Sequence, residues 1–206
     1  MKNKKDSIYP IAFGIVFLAV WQILCTSKVI PEFLMPSPIQ ILKALVEDFP
    51  LLMYHLAVTL AESLIGLLLG VLLGLIFALL MDRFIKVYKT FYPFVIISQT
   101  IPTIAIAPLL VLWFGYDLLP KVILIILVTF FPITIGLLES FKSADKDEIN
   151  LLKSMGASEF DIYKFIKLPS SMGKFFAALK ISASYSVVGG VISEWLGGFR
   201  GLGLYM

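Results

Sequence analysis

Apolar runs long enough to cross a bilayer follow one another along the chain, and nearly all of its charge is collected in the short segments between them. Ile8–Ser27, Phe91–Tyr116 and Val122–Leu138 hold no charged residue, and Leu56–Met81 holds only Glu62. A helix needs about 20 predominantly apolar residues to cross the hydrocarbon core, so four spans are expected. A fifth, Phe175–Leu196, contains Lys180 and Glu194 near its ends, where long side chains reach the headgroups. A soluble protein with buried helices would need far more polar chain to cover them. The first run is longer than a signal-peptide core and has no small-residue cleavage site near Cys25–Lys28, so it reads as an uncleaved span.

The breaks between spans order the chain. With the N-terminus in the cytoplasm, the first span leads to an external segment, Lys28–His55, whose IPEFLMPSP stretch has three prolines that prevent regular helix. Ser37-Pro38 then starts a short helix over Ile39–Asp48 with proline at its first position. Span two returns over Thr59–Met81, and span three leaves over Phe91–Phe114. Gly115–Lys121 is a tight outer turn, and span four returns over Val122–Leu138. A charged insert, Asp145–Pro169, is then cytoplasmic, and span five ends outside at Gly197-Gly198. On this plan the inner segments hold Lys2, Lys4, Lys5, Arg83, Lys86, Lys89, Lys142, Lys146, Lys153, Lys164, Lys167 and Lys174. The outer ones hold only Lys28, Lys43, Lys121 and Arg200. That is a positive-inside distribution.

Composition agrees. Hydrophobic residues make up 59% of the 206 and charged ones 15%, against roughly half apolar in soluble domains; mean hydropathy is +0.96. The net charge of +3 follows the topology, so no nucleic-acid partner is expected. Cys25 and His55 are each the single residue of their type, which removes disulfides, cysteine metal sites and His-based triads. His55 suits packing or the interface better than ligation. There is no G-x-x-x-x-G-K-[ST] phosphate loop and no H-E-x-x-H motif. A non-enzymatic membrane protein without its own cofactor or metal is expected.

Three patterns carry more. Gly66, Gly70, Gly74 and Ala78 recur every fourth residue in span two, a smooth stripe for close helix packing. Span three is interrupted by Pro93, Pro102 and Pro108, with Ser98, Gln99, Thr100 and Thr103 around the middle proline. Irregular backbone at membrane depth is tolerated when buried or lining a wet cavity. These residues are therefore either a translocation path or a kink whose hydroxyls bond back to the backbone. In the insert, Asp145 with Glu148, and Ser158 with Asp161, read as capping boxes. Ile149, Leu152 and Met155 form an apolar edge, Gly156 closes the first helix and Pro169 stops the second. Two capped helices with apolar edges suit docking on a partner.

The insert resembles the cytoplasmic loop of bacterial ABC importer permeases, E-A-A-x-x-x-G-x(9)-I-x-L-P. Gly156, Ile166, Leu168 and Pro169 fall in register, whereas Asn150, Leu151 and Leu152 stand at the E-A-A positions. The nitrate/sulfonate/taurine branch is similar along nearly the whole chain, in LMPSP (Leu34–Pro38), the glycine ladder and IPTIAIAPLLVLWFG (Ile101–Gly115). MGAS (Met155–Ser158), SEWLGG (Ser193–Gly198) and GLGLYM complete the match.

The resemblance implies an all-α membrane protein with a MetI-like permease bundle, one domain over residues 1–206 with its core at about 59–206 and a coupling loop at 145–169. It implies a multi-pass subunit in the bacterial inner (plasma) membrane, paired as a homodimer in lipid. A separate ABC ATPase would bind ATP, and an extracytoplasmic substrate-binding protein would deliver the solute. The implied coupling residues are Glu148, Met155, Gly156, Ala157, Ser158, Ile166, Leu168 and Pro169. Such permeases usually have a sixth span after the GLG segment, so truncation or natural shortening is expected here. The branch points to sulfonate-, taurine- or nitrate-like anions, while EWLGG with GLGLYM also resembles permeases for thiamine pyrimidine precursors. Span three supplies hydroxyls and an amide but no positive charge, which leaves a neutral solute open. The alternative, a self-contained secondary transporter or channel, would need an intramembrane ion relay. Glu62, Asp82, Glu139 and Glu194, all near span ends, argue against one.

Overall fold

A continuous helix satisfies every backbone polar group that lipid cannot, and the computed structural model is helical wherever the apolar runs fall. It describes residues 8–206; Lys2, Lys4, Lys5 and the expected cytoplasmic N-terminus lie outside the described residues. The chain divides into two compact units, residues 1–53 and 54–206, the division falling near the start of the third helix.

In the first unit, α1 (Ile8–Thr26) is joined to α2 (Pro38–Glu47) by Gln22, whose side-chain oxygen accepts from the Ile39 amide at 3.3 Å. Ser37 caps α2 as the sequence indicates. Its hydroxyl accepts from the Gln40 amide, Gln40 returns a bond to the Ser37 amide, and Pro38 occupies the first turn.

The second unit is built on α3 (Phe49–Arg83), α6 (Leu118–Lys142) and α9 (Leu168–Gly197). The glycine stripe faces α6. A Cβ on Gly66 would stand 2.4 Å from Ile125, one on Gly70 2.0 Å from the Thr129 hydroxyl, and one on Gly74 2.8 Å from Ile133. Both numbers of each pair rise together, so α3 and α6 run parallel. Helix α9 runs against α6: Gly136 faces Ala178, Ser182 donates to the Thr129 carbonyl at 3.0 Å, and Gly189 faces Val128. Ala78, Ile133, Leu137, Phe141 and Ala178 close the core between these helices.

Two parallel helices need a return between them, and α4 (Ile85–Ser98) with α5 (Thr103–Phe114) supplies it, bent by 103° at the break. The third span is thus two helices. Only Pro102 breaks it; Pro93 and Pro108 lie inside helices. The residue before a proline is pushed out of helical backbone, and at the break the Ser98 and Thr100 hydroxyls donate to carbonyls three residues back.

Pro169 does not stop its helix, contrary to the sequence expectation. It sits in the first turn of α9, where a missing N–H is harmless. α8 (Glu159–Ile162) passes through one π turn, Tyr163–Lys167, straight into α9, and Glu159–Gly197 is a helical run of 39 residues. The remaining elements are α7 (Lys146–Ser154) and α10 (Leu202–Tyr205).

Candidate functional site

Side chains of distant segments collect at both ends of the second unit. At the end holding Arg83 and Lys142 lies the charged insert. Asp145 accepts from the Asp147 amide at 2.8 Å and so caps α7, but without the reciprocal bond from Glu148 that a capping box would add. Glu148 is exposed in the first turn, where a carboxylate complements the helix dipole. Gly156 has φ +82°. Its amide donates to the Lys153 carbonyl and that of Ala157 to the Leu152 carbonyl, both at 3.0 Å, which is a Schellman closure. Ser158 and Asp161 form the expected capping box. The Ser158 hydroxyl and amide both donate to Asp161 and hold its carboxyl below the usual carboxylate range.

The loop's apolar residues divide into two sets. Ile162 and Ile166 are buried, Leu168 packs on the core, and Tyr163 meets Phe141 edge-on at 5.8 Å. Leu151, Met155, Phe160 and Phe165 face outward, Met155 and Phe160 more than 70% exposed. Of the expected apolar edge, Met155 is open while Ile149 and Leu152 are half-buried. Among the coupling residues, Ile166 anchors the loop from inside, Ala157 is half-buried, and Gly156, Ser158 and Pro169 are exposed. The Tyr163 phenol is raised above its ordinary range, first by burial and then by the Asp82 carboxylate.

Between the ends, the bend in the third span borders a hollow of about 510 Å³ lined by Ser98, Gln99, Pro102, Thr103 and, across from them, Tyr185 and Ile192. Thr100 is not in the lining. A second hollow of about 430 Å³ shares Gln99 and Tyr185 and reaches Glu139 and Lys174 toward the loop end. The Ser98 and Thr100 hydroxyls bond back to Val95 and Ile97, as a kink requires. The Gln99 amide group and the Tyr185 hydroxyl have no partner among the described residues. Tyr185 was missed by sequence reasoning, because a lone aromatic in an apolar helix carries no signal of its own.

The opposite end holds a buried polar cluster. Lys121 donates to Glu62 at 2.7 Å, with both side chains no more than 10% exposed. Glu194, expected to reach the headgroups, is instead 1% exposed. It accepts from the Thr59 hydroxyl at 2.8 Å and the Gly203 amide at 2.7 Å. Thr59 accepts from the Leu202 amide at 2.8 Å, and His55 Nδ1 accepts from Gly201 at 3.0 Å. The glycine-rich segment, residues 197–203, is therefore folded onto Glu194. Lys180 is exposed. Among the described residues, no three His, Cys, Asp or Glu side chains come close enough to hold a metal ion.

A multi-pass helical bundle with an apolar-tipped loop at one end and an apolar groove carrying a few polar groups is the architecture of a membrane transport component. Residues 70–206 match the family of binding-protein-dependent transport system inner membrane components, and the chain belongs to that family. It is 37% identical to the formylaminopyrimidine transport permease of Halalkalibacterium halodurans, over 100% of this chain and 82% of the relative. It is 32% identical to the riboflavin transport system permease of Chloroflexus aurantiacus, over 91% and 71%. With the taurine transport system permease of Escherichia coli it shares 29%, over 91% and 71%. The chain is thus a permease subunit of an ABC importer in the inner membrane, working with a separate ATPase and a substrate-binding protein. These relatives fit that reading and not the self-contained secondary transporter.

Proposed function

We propose that the permease moves a small, flat, uncharged nitrogen heterocycle of the thiamine-pyrimidine type along the groove beside Gln99 and Tyr185. The observation that carries this is the lining of the larger hollow, in which no charged residue appears. A sulfonate stripped of water there would meet no cation, and burying an unpaired anion is strongly unfavourable. An amide, a phenol and apolar walls suit stacking and hydrogen bonding to a heterocycle. The relatives support this reading in the same order: identity is higher with the formylaminopyrimidine and riboflavin permeases than with the taurine permease. An anion remains the second reading because Lys174 borders the smaller hollow.

Two copies of the chain would form the passage, closing the groove of Ser98, Gln99, Pro102 and Thr103 against a second permease within lipid. The 145–169 loop would seat its exposed Met155 on a groove of the ATPase from the cytoplasmic side, with Glu148, Gly156, Ala157, Ser158, Ile166, Leu168 and Pro169 shaping and anchoring it. ATP would be bound by the partner alone. Reconstitution with the ATPase and binding protein in liposomes tests the substrate. Uptake of a formylated aminopyrimidine that taurine does not compete is expected, with Gln99→Ala lowering uptake while ATP hydrolysis continues. Uptake of taurine in preference to the pyrimidine would overturn it.

A further inference from the structure

The loop's two covalent joins lead to α6 and α9. Helix α9 is entered without a break, so a push on the loop turns it directly. The third helix has no such join and meets the loop through side chains of its last turn. There the Asp82 carboxylate, 7% exposed, accepts from the Tyr163 hydroxyl and the Lys167 ammonium, both in the π turn. Its neighbour Arg83 pairs with Glu159 at 3.1 Å, and Glu159 also reaches Lys153 of α7 at 3.9 Å. The two contacts differ in kind. Arg83 and Glu159 are about half exposed, and ion pairs in water hold little. Asp82 is withdrawn from water, so its carboxylate depends on those two partners.

Beyond Ala78, where the glycine stripe ends, the last turn of α3 packs through the buried Met81, and its buried polar tie to the loop is Asp82. The loop has bends of its own at Ser143–Asp145 and Gly156. Without a directional tie to α3, a loop seated by its covalent ends and by the buried Ile162 and Ile166 would swivel at those bends when pulled, and part of the movement would be lost. π turns frequently occur where a helix does work, and this one carries both partners of Asp82. Resting on the docking of this loop on the ATPase proposed above, we propose that Asp82 is a positioning residue for energy coupling: by clamping the π turn to α3 it makes the loop and all three helices move as one body. It touches neither solute nor nucleotide.

The test is solute moved per ATP hydrolysed in liposomes, measured on the assembled complex and corrected for its amount. Asp82→Asn is expected to assemble and hydrolyse ATP while this ratio falls several-fold. Exchanging the charges, Asp82→Lys with Lys167→Asp, is expected to recover part of the loss. A merely structural role would reduce the amount or melting temperature of complex and leave the ratio alone. An unchanged ratio in assembled Asp82→Asn complex overturns the proposal. If that variant does not assemble, Tyr163→Phe decides: a lowered ratio supports the clamp, and a wild-type ratio overturns it.

Discussion

Gly70 sits so close to α6 that even a methyl group would meet the Thr129 hydroxyl at 2.0 Å. The hydroxyl is already committed, donating to the Ile125 carbonyl at 2.8 Å, so it has little freedom to move aside. Overpacking a close contact costs about 1–3 kcal/mol. Gly70→Val is therefore expected to lower the unfolding midpoint of the purified complex, measured by a thermal melt in detergent. Gly14→Val, with nothing within 4 Å, should leave it unchanged. The stripe was legible because spacing alone reports a shared helix face. Glu194 was not. Its burial depends on the Thr59 hydroxyl and the Gly203 amide, with Gly201, at φ +114°, leaving no room for a side chain beside the carboxylate. The glycine-rich segment that supplies the amide, residues 197–203, reads as an ordinary turn.

Four prolines show how position within an element decides the effect of one residue. Pro102 stands at a break, Pro93 and Pro108 are absorbed within helices, and Pro169 lies in a first turn. Composition treats all four as breakers, and this is why the third span read as one interrupted helix and the loop as ending at Pro169. Gly156 was read correctly, since a helix followed by glycine and a fresh cap leaves one conformation for it. A valine forced into that left-handed backbone costs about 1–2 kcal/mol and would unseat the Schellman bonds from Leu152 and Lys153. Gly156→Val is expected to reach the membrane in normal amount yet capture less ATPase in a pull-down. Full capture together with normal transport would count against the loop as the docking element.

Over the whole second unit, the parallel run of α3 and α6 and the opposed run of α9 sort side chains to two ends. Asp82, Arg83, Lys142 and Lys153 gather at one, while Thr59, Lys121 and Glu194 gather at the other. Charge counting anticipated this sorting, but not the pairing of Lys121 with Glu62, which needs two helices in register. Cys25 is the chain's one cysteine and is buried, so single engineered cysteines report cleanly. A cysteine at Met155 should react with a membrane-impermeant maleimide only from the cytosolic side, and one at Phe199 only from the other; the reverse pattern would invert the topology.

The unbroken helix from Glu159 to Gly197 has one last consequence. Its 39 residues make a shaft about 58 Å long at 1.5 Å per residue, longer than the roughly 40–45 Å of a bilayer with its headgroups. Its first turns, with Lys164 and Lys167, carry the charge that suits the part standing in water, keyed in phase to the apolar part within. One residue added between Lys164 and Lys174 would twist Phe160 about 100° around the axis, pointing the loop's tip away from whatever it grips while every span stayed intact.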